Sequence, residues 1–82
     1  MTLTPAQCRA ARALLNWSQE DLVRASGITK KTIADLERGA TMPRQQTQVQ
    51  ILAAFEQAGI EFLDGKQPGV RLKKTARAGA LG

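Results

Sequence analysis

Histidine and tyrosine are absent from the 82-residue chain, and cysteine occurs once, at Cys8. A single cysteine cannot form an intramolecular disulfide, and without histidine it lacks the base that usually activates a catalytic thiol. The sequence therefore offers neither a nucleophile with its base nor a cluster of metal ligands. We expect no enzymatic activity, no cofactor and no metal site.

Long apolar runs are also missing. No stretch approaches the roughly 18 consecutive apolar residues of a membrane-spanning helix, and residues 1–15 lack the apolar core of a signal peptide. An unpaired cysteine is typical of a reducing compartment. Together these absences predict a cytoplasmic protein with no membrane partner.

Positive charge is in excess. Twelve Lys and Arg residues outnumber seven Asp and Glu residues, so the formal net charge is +5. This balance favours a polyanionic partner, and nucleic acid is the first candidate. The length suffices for one small domain with a single modest core.

Helices 1 and 4 are predicted from apolar periodicity. Thr4 is a capping residue and Pro5 is favoured at the first helical position, so helix 1 should run from Pro5 to Leu15. Helix 4 should span roughly residues 46–58 and end at Gly59. The predicted core faces are Ala10, Ala11, Leu14 and Leu15 in helix 1, with Gln7 elsewhere, and Val49, Leu52, Ala53 and Phe55 in helix 4.

Helices 2 and 3 lie between them and share one capping pattern. Ser18 should cap helix 2 and form a capping box with Asp21, and Gly27 should end this helix. Thr29 should cap helix 3, which Gly39 ends. Two helices of about eight residues joined by a short glycine turn form a helix-turn-helix.

The chain changes character after the fourth helix. IEFL (60–63) and VRL (70–72) are short β-prone runs on either side of DGKQPG, a pattern that predicts a hairpin. The following basic and small residues show no periodicity and predict a flexible tail, which is either solvated or tracks DNA phosphates. We therefore divide the chain into a helix-turn-helix domain (1–59), a hairpin that is a candidate dimerisation element (60–72) and a basic tail (73–82). The expected fold is mainly α, a compact four-helix domain with a short C-terminal β-hairpin.

Helix 3 begins with Lys30 and Lys31, whose charges oppose the helix dipole. Ile33 and Leu36 should pack against helix 2 and leave the side with the lysines free. Such a helix fits the DNA major groove, where lysine donates to guanine O6 and N7. A merely solvated helix start is the alternative interpretation of the two lysines.

Residues from Arg12 to about Phe55 resemble the Cro/repressor-type helix-turn-helix family of phage and bacterial transcription regulators, also called the xenobiotic-response-element family. The resemblance is carried by WSQEDL, GIT, IADLERG and the proline loop that follows. Val23 departs from the pattern, since the family usually has alanine there. The resemblance implies a repressor-like domain that binds double-stranded DNA.

The resemblance also implies roles for individual residues. Base edges would be faced by Lys30, Lys31, Thr32 and Asp35. For Asp35, ordering of a neighbouring lysine is the alternative role. Phosphates would be contacted by Gln19, Thr29, Arg38, Thr41 and Arg44. A structural ion pair would join Arg12 and Glu37.

The predicted function is a sequence-specific transcriptional regulator, a repressor or an activator, that places helix 3 (about Lys30–Arg38) in the major groove of a palindromic operator. One such helix reads only a few base pairs, so a homodimer is expected. A lone hairpin is marginal in water, and this one should pack on the helices, pair with its copy in a second subunit, or both. The alternative function is an antitoxin- or antirepressor-type module whose C-terminal segment binds a regulatory protein partner.

Overall fold

The computed structural model describes residues 2–63 and 69–73. Within them, four helices precede a two-stranded antiparallel hairpin. The elements are α1 (Pro5–Leu15), α2 (Gln19–Ser26), α3 (Lys30–Arg38), α4 (Gln45–Gln57), β1 (Ile60–Leu63) and β2 (Gly69–Leu72). This is the mainly α fold with a C-terminal hairpin that the sequence predicts, and α4 is shifted by one residue towards the N-terminus.

Side-chain caps fix the starts of the first three helices. Thr4 and Ser18 each accept a hydrogen bond from the backbone N–H three residues later. The side chains at those positions, Gln7 and Asp21, accept in return from the backbone N–H of the capping residue, which completes two capping boxes. Thr29 caps α3 through its hydroxyl, which accepts a hydrogen bond from the Thr32 N–H.

Left-handed backbone conformations end these helices. Gly27 after α2 has φ 76° and Gly39 after α3 has φ 75°, a region in which glycine avoids the clash of a Cβ atom. Asn16 follows α1 with φ 58°, and asparagine tolerates this conformation better than most residues. The turn between α2 and α3 is consequently short, as a helix-turn-helix requires.

One core unites the helices with the hairpin. Phe55 of α4 stacks on Trp17 with ring centroids 5.8 Å apart, and Phe62 of β1 meets the Phe55 ring edge-on at 5.9 Å. The buried hydrophobic residues are Leu3, Cys8, Ala11, Leu22, Ile33, Leu36, Ile51, Ala54, Phe55 and Ile60. Every helix and β1 contributes to this list, so the elements stabilise one another.

The hairpin packs on the helices, which is one of the two arrangements expected for it. β2 lies against α1, β1 lies against α4, and the two strands pair with Ile60 opposite Leu72. Ile60 has no exposed surface. Most of the predicted turn (64–69) and of the predicted flexible tail (73–82) lies outside the described residues, which omit 64–68 and 74–82.

The buried face of α1 differs from the predicted one. Ala10 and Leu14, both expected in the core, are exposed. The buried residues are Gln7, Cys8 and Ala11. The Gln7 amide tolerates burial because its oxygen accepts from the Thr4 N–H and its nitrogen donates to the Gly69 carbonyl at 3.2 Å. An apolar stripe alone cannot reveal such a polar core residue.

The prediction for α4 was also partly wrong. Val49 is 54% exposed, and Ile51, which the predicted face omitted, is fully buried. The buried residues are Ile51, Ala54 and Phe55, whose i, i+3, i+4 spacing faces α2 and β1. Because apolar residues occur on several sides of this helix, periodicity did not select the buried side.

Candidate nucleic-acid interface

Helix α3 has one buried face and one polar face. Ile33, Leu36 and Glu37 are buried. The polar face carries Lys30, Lys31 and Arg38, which are exposed, and Thr32 and Asp35, which are half-buried. The lysines at the start of this helix are thus accessible to a partner.

A groove of about 290 Å³ lies between the start of α3 and the loop that leads into α4. It is lined by Thr29, Lys31, Thr32, Asp35, Thr41, Pro43, Arg44 and Thr47. Six of these eight residues are DNA contacts predicted from the sequence, and they come from two separate segments of the chain. Sequence reasoning missed Pro43 and Thr47, although both flank the start of α4, where Arg44 was already a candidate.

Asp35 holds two basic side chains of α3. Its carboxylate accepts a hydrogen bond from Lys31 Nζ at 3.0 Å and another from the Arg38 guanidinium. The bond from Lys31, followed by that from Arg38, lowers the pKa of Asp35 below its ordinary value. In the free protein Asp35 therefore orders Lys31 as a charged partner.

Lys30 is held from a different helix. Its Nζ donates to Glu20 Oε2 in the first turn of α2, and each side chain is more than half exposed. This hydrogen bond is the main cause that lowers the pKa of Glu20. Sequence analysis missed the contact because residues ten apart on two helices leave no local pattern.

Glu37 connects the first three helices. Arg12 donates from Nε to Oε2 and from Nη2 to Oε1, both at 2.7 Å. Gln19 Nε2 donates to Oε1 at 3.1 Å, and Cys8 Sγ donates to Oε2 at 3.1 Å. The ion pair implied by the resemblance is thus present, and Gln19 keeps one N–H for another acceptor.

Burial raises the pKa of both acidic groups in this cluster, whereas their hydrogen bonds act in opposite directions. Burial raises the pKa of Glu37, but hydrogen bonds from Arg12, Cys8 and Gln19 outweigh it, so the pKa lies below its ordinary value. For the Cys8 thiol, burial and the hydrogen bond to Glu37 both raise the pKa, far above the usual range. Cys8 is therefore a protonated hydrogen-bond donor in the core.

Another groove, of about 340 Å³, lies between α1 and β2 and has no charged residue in its lining. The lining residues are Thr4, Ala6, Gln7, Ala10, Gly69 and Val70. Within residues 2–63 and 69–73, no three His, Cys, Asp or Glu side chains meet in a group that could hold a metal ion. None of the described helices has the length and apolarity to cross a membrane.

Comparison with known families agrees with this geometry. The model of a helix-turn-helix family, HTH_3, matches residues 9–61, which is more than half of the chain and includes α2, α3 and the groove beside them. No curated protein matches the chain. With its polar α3 face and this match, the chain belongs to the Cro/C1-type helix-turn-helix family of DNA-binding regulators.

Proposed function

We propose that the protein is a sequence-specific transcriptional regulator that places α3 in the major groove of operator DNA. The observation that carries this proposal is the groove beside α3, which gathers six predicted DNA contacts from two segments of the chain. A major groove admits one α-helix, and base edges along it present donors and acceptors that side chains can distinguish.

Base contacts are proposed for the first two turns of α3. Lys31 is 85% exposed, and a lysine so placed can donate to guanine O6 and N7. Lys30 and Thr32 occupy the neighbouring positions. Asp35 would either accept from cytosine N4 or hold Lys31 in place, and the observed Lys31–Asp35 ion pair supports the second role.

Phosphate contacts are proposed around this groove. The residues are Gln19, Thr29, Arg38, Thr41 and Arg44, to which the groove adds Thr47. At the N-cap of α4, Arg44 makes no capping hydrogen bond with its side chain among the described residues. Backbone N–H groups in that first turn are therefore available to a phosphate oxygen, which the helix dipole also attracts.

A homodimer on a palindromic operator completes the proposal. One α3 reads too few base pairs for a unique site, and two copies related by a two-fold axis would read two half-sites about 34 Å apart. The burial of Ile60 within a single chain supports this function over the antitoxin- or antirepressor-type alternative, because the hairpin needs no foreign partner in order to pack.

Selection of bound sequences from random duplex DNA tests the proposal directly. A palindromic consensus is expected, since it would report specificity and dimer symmetry together. Lys30→Ala and Lys31→Ala should then each weaken binding to the selected site, by about tenfold to a hundredfold where the lysine reads guanine.

Lys73→Ala is the matched control for these variants, because it removes the same charge from an exposed residue that follows β2 and lies outside α3. It should leave the base preference unchanged. Unchanged affinity and unchanged preference in both α3 variants would overturn the assignment of α3 as the recognition helix.

A further inference from the structure

The ion pair between Glu20 and Lys30 joins the first turns of α2 and α3. Both side chains are more than half exposed, and exposed pairs of this kind add little to stability. Stability therefore does not account for the pair. Its position does suggest another role, since Lys30 is one of the proposed base contacts.

The Lys30 ammonium can bind Glu20 and a guanine base at the same time. A lysine ammonium has three N–H donors, and Glu20 takes one of them. Two donors remain for guanine O6 and N7. The lysine can therefore read a guanine while it keeps its carboxylate partner. Lys30 also lies at the positive end of the α3 dipole, where a nearby carboxylate offsets the unfavourable charge.

A phosphate contact would require a different position of the Lys30 side chain. Lysine is a flexible point charge, and a swing towards the DNA backbone would separate Lys30 from Glu20. It would also leave the Glu20 carboxylate uncompensated near the negative backbone. Phosphates are present at every DNA sequence, whereas guanine at a given position is not. Glu20 thus disfavours the contact that carries no sequence information.

We propose, on the basis of the function proposed above, that Glu20 is a positioning residue for specificity: it holds the Lys30 ammonium for a base contact and away from phosphates. Glu20 touches no DNA in this arrangement. Its effect appears in the ratio between specific and non-specific affinity, which depends on where Lys30 places its charge.

The test compares Glu20→Gln with Glu61→Gln. Glu61 is a partly exposed carboxylate paired with Arg71 on the hairpin, so its variant makes the same change in charge and breaks an ion pair away from α3. Binding of both variants and of the wild type is titrated over a range of salt concentrations. The duplexes are the operator selected by the wild type and a scrambled sequence of equal length.

Glu20→Gln should bind the scrambled duplex about twofold to fivefold more tightly than Glu61→Gln does. The slope of log K against log salt on that duplex should steepen by about 0.9, as one added phosphate contact requires. The affinity of Glu20→Gln for the operator should rise by a smaller factor than its affinity for the scrambled duplex. The ratio of operator affinity to scrambled-duplex affinity should therefore fall. On a Lys30→Ala background the Glu20→Gln effect should disappear.

Three outcomes would count against these ideas in different ways. Equal ratios and equal slopes for Glu20→Gln and Glu61→Gln would overturn the role of Glu20. An effect that persists without Lys30 would overturn it as well. Both results leave the proposed function intact if Lys30→Ala still weakens operator binding. A wild type that selects no DNA sequence would overturn the function together with this inference.

Discussion

Arg12 on α1 and Glu37 on α3 are joined by two parallel hydrogen bonds, each 2.7 Å long. The Glu37 side chain is 4% exposed and the Arg12 side chain 20%. A carboxylate buried to this degree depends on its partner, because an isolated charge in an apolar interior is costly. The pair therefore fixes the position of α3 relative to α1.

Removal of either member should destabilise the fold. Arg12→Ala leaves the buried Glu37 carboxylate without its charged partner and should lower the free energy of unfolding by about 3–5 kcal/mol. Glu37→Ala should also be destabilising, because it leaves the Arg12 and Gln19 donors without their acceptor. Urea unfolding measures both losses, and Arg71→Ala, which breaks the exposed pair with Glu61, should hardly change the transition. Wild-type stability in the two core variants would contradict a structural role for the pair.

Local chemistry explains why the helix-turn-helix could be predicted so closely from the sequence. Ser18 and Thr29 each find their hydrogen-bond partner three residues away, and Gly27 and Gly39 supply the left-handed conformations that end the two helices. Such signals depend only on neighbouring residues. The bounds of α2 and α3 follow from them without knowledge of the tertiary structure.

Contacts between distant residues could not be predicted in this way. The Gln7 side chain can be buried because its amide donates a hydrogen bond to the Gly69 carbonyl, 62 positions later. No local sequence pattern indicates that partner. The contact of Lys30 with Glu20 likewise depends on how α2 and α3 cross. Which residues lie on the α3 face was predictable, whereas the partners that hold them had to come from the structure.

Acid should remove part of the stability of this fold through Glu37. Since the folded pKa lies below the ordinary value of 4.5, the contribution is fully present above that value and is lost as the pH falls through the folded pKa. Glu20, Asp21, Asp35 and Glu61 also have lowered pKa values and add to the acid dependence. Unfolding free energies from about pH 6 to about pH 3 should fall less steeply in Glu37→Gln than in the wild type. Identical slopes would mean that Glu37 has the same pKa in both states.

Cys8 should react with thiol reagents only when the protein unfolds. The thiolate is the reactive form, and burial together with the bond to Glu37 raises the pKa of this fully buried thiol. Iodoacetamide labelling followed by mass spectrometry should therefore be slow in buffer and fast in denaturing urea. The Arg12→Ala variant should label faster than the wild type, because its unfolded fraction is larger. Rapid labelling of the native wild type would show that α1 opens locally without global unfolding.

Self-association is expected to depend on an exposed apolar residue of the hairpin. Leu72 on β2 is 47% exposed and Val49 on α4 is 54% exposed, so Leu72→Glu and Val49→Glu place the same charge on the two candidate interfaces. We expect Leu72→Glu to weaken the dimer in sedimentation equilibrium and to lose more affinity for a palindromic operator than for an isolated half-site, because a linked second half-site raises affinity through effective concentration. If only Val49→Glu weakens the dimer, the interface lies on α4 and not on the hairpin. A wild type that remains monomeric at every concentration and binds both duplexes equally would show that the dimer prediction is wrong.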